Sequence, residues 1–171
     1  VDTDDVCYFK NTYDELGRVI SQVDGADSAP TVFTYGDNGV RTVTDRNGCK
    51  STRVFNNDGL ITSYTDEVGN TTAYEYDENC NLIRETDASG KCVTAVYNIF
   101  NKPTKITDKN GNATNYEYDS KGNVIKISYP KNNGSAVEEE YAYNARNQVT
   151  SRTDLRGTVT VYTYNENGLL A

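Results

Sequence analysis

Aromatic residues recur along this sequence at an almost fixed interval. They stand at Tyr13, Tyr35, Phe55, Tyr76, Tyr97, Tyr118, Tyr143 and Tyr164, separated by 22, 20, 21, 21, 21, 25 and 21 residues. A second series, Asp45, Asp66, Asp87 and Asp108, recurs every 21 residues and resumes at Asp154. Each of these has a glycine three positions later, at Gly48, Gly69, Gly90, Gly111 and Gly157. Two series interleaved in one register mark a repeated supersecondary unit. Such a unit buries its packing surface only against its neighbours, which restricts the chain to a linear array.

The unit itself reads as strand and turn. Tyr74/Tyr76, Tyr116/Tyr118, Tyr141/Tyr143 and Tyr162/Tyr164 are two residues apart, so on an extended backbone both rings of each pair share one face. The residues between them, Glu75, Glu117, Ala142 and Thr163, face the other way, and two of the four are charged, which predicts a wetter surface there. Asp14-Glu15-Leu16-Gly17, Asp119-Ser120-Lys121-Gly122 and Asn165-Glu166-Asn167-Gly168 put Asp or Asn first and Gly fourth. This is the preference of a type I turn followed by a residue of positive φ. Asp108-Lys109-Asn110-Gly111 repeats the signal at the opposite end of the next strand. Cys80, Asn101 and Asn147 occupy the glycine position in three turns. Asn tolerates a left-handed backbone, whereas Cys80 would be under mild strain there unless its turn changes type.

The expected fold is all-β, with tandem antiparallel β-hairpins forming one continuous curved and twisted sheet strip. Residues 1–171 read as a single array of about seven units, truncated at both ends, since no linker or change of composition interrupts the period. The unit after Tyr118 departs from the pattern. Tyr129-Pro130 replaces its Asp, and Lys131-Asn132-Asn133-Gly134-Ser135 lengthens the connection, predicting a long loop near 129–137.

Hydrophobic residues make up only 36% of the chain, with 14 Tyr against 4 Phe and no Trp. Burial is therefore expected to be thin and carried by rings with a polar tip. The formal charge of −8 and the absence of a Lys/Arg cluster argue against the basic surface that nucleic acid requires, so no nucleic acid partner is expected. No apolar run approaches the length of a membrane span, and no signal peptide stands at Val1.

No catalytic, cofactor-binding or metal residue is assigned. Histidine is absent, which removes the commonest general base and most zinc sites. The acidic runs Asp4/Asp5 and Glu138-Glu139-Glu140 offer paired carboxylates of the kind a glycosidase uses, but read more simply as solvated charge. Asp45-Arg46-Asn47-Gly48 and Asp108-Lys109-Asn110-Gly111 resemble calcium loops only in outline. They lack the later bidentate Glu and read as turns. Cys7, Cys49, Cys80 and Cys92 show no zinc spacing, and the register separates them too widely for bridges, so free thiols are expected unless the sheet folds back on itself. The tyrosine rows read first as the packing face of the sheet. A second reading makes Tyr74, Tyr116, Tyr141 and Tyr162 candidate ligand-stacking residues for a glycan.

Tyr13-Asp14-Glu15-Leu16-Gly17-Arg18-Val19, Tyr76-Asp77-Glu78-Asn79-Cys80-Asn81-Leu82 and Tyr118-Asp119-Ser120-Lys121-Gly122-Asn123-Val124, with a Thr-Asp-x-x-Gly half recurring in register along the chain, resemble the YD repeat of the Rhs family. That family includes bacterial polymorphic toxins and wall-associated proteins, shell subunits of insecticidal toxin complexes, and teneurins. The resemblance implies a sheet strip that spirals into a shell enclosing or presenting a C-terminal toxin, in a secreted or cell-surface protein. Its implied partners are adjoining repeats of the same parent chain and a toxin cargo. The segments that close such shells are not recognisable in these residues, and so few units imply an open strip. The expected function is thus non-catalytic and structural, with a carbohydrate- or cell-surface-binding module as the alternative and a hydrolase a distant third.

Overall fold

A strand that hides one face needs its neighbour in register, and in this chain the register is fixed at the turns. The computed structural model describes residues 9–25, 29–130 and 136–171. Their strands are β1 (Phe9–Tyr13), β2 (Val19–Asp24), β3 (Thr31–Tyr35), β4 (Val40–Thr44), β5 (Lys50–Phe55), β6 (Ile61–Thr65), β7 (Thr71–Tyr76), β8 (Leu82–Thr86), β9 (Cys92–Tyr97), β10 (Pro103–Thr107), β11 (Ala113–Tyr118), β12 (Val124–Tyr129), β13 (Val137–Tyr143), β14 (Val149–Thr153) and β15 (Val159–Val161). They lie in one open sheet in the order of the sequence, and the described residues contain no helix. The all-β hairpin array expected from the period is therefore the fold observed.

The chain separates into two compact units, residues 1–75 with 85–90 and residues 76–84 with 91–171. In the first, β1 to β7 pair antiparallel, each with the next. In the second, β9 to β15 do the same.

One device closes nearly every hairpin. At Asp14, Asp45, Asn56, Asp66, Asp77, Asn98, Asp108, Asp119, Asn144 and Asp154 a side-chain Oδ1 accepts the backbone N–H groups two and four residues on, at 2.8 to 3.1 Å. The backbone N–H three residues on donates to the carbonyl of the same Asp or Asn, as in Gly122 to Asp119 at 3.0 Å. This is a type I turn ending in a bulge residue of positive φ. That residue is Gly at most turns and Cys80 (φ 65°), Asn101 (φ 57°) or Asn147 (φ 61°) at three. The turn at Cys80 keeps its type, so the strain anticipated for a non-glycine residue is present there.

The β3–β4 hairpin differs. Gly36 stands where the Asp would be, Gly36 N–H donates to Val40 O at 2.8 Å, and Tyr35 pairs directly with Arg41 without a bulge. Gly39 here needs to be glycine, because a Cβ would come within 2.2 Å of Phe55 O. At the lengthened unit, β12 runs to Tyr129 and β13 begins at Val137. The residues between them that carry the expected loop, 131–135, lie outside the described residues.

No apolar side chain is fully buried among the described residues. The two sides of the sheet are nevertheless unequal. Along β7, β11 and β13 the tyrosines are half-buried, while Glu75, Glu117 and Ala142 between them are exposed. Apolar residues also stand at turn tips, where nothing covers them, as with Ile99 at 89% exposed and Val68 at 82%.

The turn carboxylates carry a pH consequence. The side-chain amides of Asn70, Asn81, Asn112 and Asn123 each donate to the second carboxylate oxygen of the Asp four residues earlier, at 2.9 Å. These bonds hold Asp66, Asp77, Asp108 and Asp119 below the ordinary carboxylate range, and backbone N–H bonds from Arg18 and Thr158 do the same for Asp14 and Asp154. A carboxylate whose pKa is lower folded than unfolded stabilises fully above its unfolded value, about 3.9 for Asp. That contribution is lost as pH falls through the folded values beneath it. Urea midpoints should therefore fall steeply below about pH 4, and less steeply in an Asp66→Asn/Asp119→Asn double variant. Cys80→Gly should raise unfolding stability by about 1 kcal/mol by removing the left-handed backbone cost, read from the same urea curves.

Candidate functional site

The anchor tyrosines do more than cover the sheet. Each ends an odd-numbered strand, or stands just beyond the last, and the hydroxyls of Tyr35, Tyr97, Tyr118, Tyr143 and Tyr164 reach the carbonyl of the residue that opens the preceding strand. Tyr35 donates to Val19 O at 2.8 Å, Tyr97 to Leu82 O at 3.1 Å and Tyr118 to Pro103 O at 2.7 Å. Tyr143 donates to Val124 O and Tyr164 to Val149 O, both at 2.8 Å. Burial raises the pKa of Tyr118 and Tyr143, which keeps both phenols protonated as donors. Phe55 has the ring without the hydroxyl, and Arg41 lies over it at 4.2 Å.

In the second unit the turns are also tied to one another. Asn81 Nδ2 donates to Asn101 Oδ1 at 2.9 Å, Lys102 Nζ to Gly122 O, Asn123 Nδ2 to Asn147 Oδ1 at 3.2 Å and Gln148 Nε2 to Gly168 O at 2.8 Å. The residue that closes one turn thus reaches the bulge residue of the next turn on the same side. No pattern in the sequence reading pointed to this ladder. Its signal is the polar residue directly after each Gly, Cys or Asn.

The most concentrated chemistry lies on the tyrosine face at Glu139. Expected to be solvated along with Glu138 and Glu140, Glu139 is instead 8% exposed. Arg152 Nη2 donates to its Oε1 at 2.5 Å, Tyr141 OH to its Oε2 at 2.9 Å and Tyr129 OH to the same oxygen at 3.4 Å. The reason is phase. Glu139 is two residues before Tyr141 and so points with the rings, while Glu138 and Glu140 point away and meet Lys126 Nζ at 2.7 and 3.6 Å. The Arg152 bond, aided by Tyr141, holds the Glu139 carboxyl below the ordinary range. A carboxylate held ionised and fully hydrogen-bonded is poor as a general acid, and its role is to tie β12, β13 and β14 together.

Of the ligand-stacking candidates, Tyr74, Tyr116, Tyr141 and Tyr162 are all half-buried on the ring-bearing face. Tyr141 is committed to Glu139, and Tyr116 lies opposite Ile127. Asp108 spends both carboxylate oxygens on its own turn. Asp45, Cys49 and Glu67 bring ligand atoms within 4.8 Å of one another, with Cys49 and Glu67 exposed. Asp45 raises the Cys49 thiol, the reverse of what a reactive thiolate requires. Cys49, Cys80 and Cys92 are free thiols, and Cys7 lies outside the described residues.

Among known proteins, the model of the family described as RHS Repeat matches residues 55–96 and 97–133. No curated protein sequence matches the chain. The fold is similar to that in the crystal structure of TcdB2-TccC3-TEV, with a TM-score of 0.52 and 14% identity, covering 95% of this chain and 11% of that one. The structure of the Photorhabdus luminescens Tc holotoxin pore is also similar, with a TM-score of 0.49 and 16% identity over 91% of this chain and 11% of that one. At such identities the likeness is one of fold alone, and this chain spans only 11% of the length of either protein.

Two variants separate the roles of these groups. Tyr118→Phe should cost about 1 kcal/mol, the ordinary worth of one hydrogen bond, without changing the strand content seen by circular dichroism. Glu139→Ala, which leaves Arg152 and two phenols without their acceptor, should lower the urea midpoint more than Glu138→Ala does.

Proposed function

We propose, for a chain whose residues 55–133 match the RHS Repeat family model, that it is a non-catalytic structural segment forming part of the wall of a shell. In this reading the 171 residues are one continuous stretch of a longer secreted or cell-surface protein, and the wall encloses or presents a toxin at the C-terminal end of that protein. The observation that carries the reading is the way each repeat is tied only to its neighbours. Backbone ladders, anchor hydroxyls and turn amides all run along the array. An architecture of this kind extends without limit in one direction and has no core of its own, which suits a wall better than a pocket. The shared fold with TcdB2-TccC3-TEV and the recurrence of the motif support it.

Catalysis has no place in this proposal, since the buried carboxylate is committed to structure and histidine is absent. The test is limited proteolysis of the intact parent protein, combined with electron microscopy of the same sample. Hollow particles whose C-terminal region resists protease until the particle is opened by acid are the expected result. A C-terminal region cut as fast as the isolated segment would remove the enclosing role.

A further inference from the structure

The repeat register places one cross-strand pair that a stable sheet should avoid. Arg41 of β4 is directly opposite Arg53 of β5, and like charges in that relation repel. Arg53 stands two residues before its anchor Phe55, where other units have Tyr74, Tyr116, Tyr141 and Tyr162. The missing bulge of the β3–β4 hairpin sets Arg41 opposite Tyr35 as well. Both guanidiniums therefore sit on the ring-bearing face, in a chain whose net charge is −8.

No carboxylate among the described residues pairs with either arginine. Each is held only over a ring, Arg41 4.2 Å from the centre of Phe55 and Arg53 4.8 Å from the centre of Tyr64. The other arginines on long side chains nearby are satisfied differently, with Arg18 on Asp14 at 2.7 Å and Arg46 on Asp24 at 2.6 Å. A ring contact engages the face of a guanidinium and leaves its edge, with the N–H donors, available. The two arginines line a cleft of about 230 Å³ with Phe33, Tyr35 and Phe55 as its apolar walls.

We propose that this cleft binds an oxyanion, a carboxylate or sulfate group, held between the edges of Arg41 and Arg53. Guanidinium forks match the geometry of such groups, and a bound anion removes the repulsion that the bare pair suffers. The anion has two sources of the same chemistry, a free inorganic ion or an acidic sugar whose ring rests on the aromatic walls. The site is independent of the wall role, since a shell can form with or without it.

The experiment is a titration of the whole chain at low ionic strength, followed by nuclear magnetic resonance of the backbone amides and the arginine Nε–H groups. The probes are inorganic sulfate, glucuronate and glucose. Saturable shifts at residues 33–43 and 51–55 with sulfate or glucuronate, and none with glucose, are expected. Tighter binding of glucuronate than of sulfate assigns the site to an acidic sugar, and the reverse order assigns it to the free ion. Arg41→Gln and Arg53→Gln should each weaken binding by roughly tenfold or more, as loss of a charged hydrogen-bond donor does, while Arg46→Gln leaves it unchanged. Thermal melting supplies the second reading. The Arg41→Gln/Arg53→Gln chain should melt higher than the parent without ligand and gain nothing from sulfate. Absence of saturable shifts, equal binding of glucose, or a double variant that melts lower than the parent would each overturn the proposal.

Discussion

A side-chain oxygen at the first position of nearly every turn is the interaction on which the rest of this structure depends. In a sheet with no fully buried apolar side chain among its described residues, burial alone cannot choose between one register and its neighbour. A slip of one residue would exchange the two faces. The Asp or Asn oxygen prevents it by accepting the backbone N–H groups two and four residues on, so that the chain reverses at one place only. The bulge residue that follows must have positive φ, which is why Gly recurs there and why Cys80 is out of keeping. Where the Asp is replaced by Gly36, the hairpin loses its bulge and its register changes with it.

The anchor tyrosine supplies what the turn cannot. A turn joins the two strands of one hairpin, whereas the phenol is fixed by its ring to the sheet face and by its hydroxyl to the opening carbonyl of the adjacent strand. Ring and hydroxyl act at once, which Phe55 shows by contrast, since it packs but donates nothing and is covered by Arg41 instead. The β12–β13 connection lacks the Asp signal altogether. In the strands that flank it, Glu139 gathers Tyr129, Tyr141 and Arg152 from β12, β13 and β14. The electrostatics follow the same division: acids in turns are lowered by neutral amide donors, and Glu139 by a charged one.

These features explain how the chain can be long, acidic and poor in aliphatic residues, with no fully buried apolar side chain among its described residues. Each repeat requires only its neighbours, and its polar groups are used internally rather than displayed.

Much of this was legible in the residues alone. Period two within the tyrosine pairs dictates a strand with two unlike faces, and Asp-x-x-Gly dictates the turn, because both are local consequences of backbone geometry. Even the left-handed backbone at Cys80, Asn101 and Asn147 follows from their alignment with glycines. The burial of Glu139 was legible in principle from its phase with Tyr141, but a run of three acids reads as solvated charge until the partners are placed. What only the tertiary structure decided is which residues distant in sequence meet. Tyr118 and Pro103, Lys102 and Gly122, and Arg41 and Arg53 come together through the pairing of strands. A contact across strands depends on register, and register is the sum of every turn and bulge before it, a quantity that no short stretch of sequence contains.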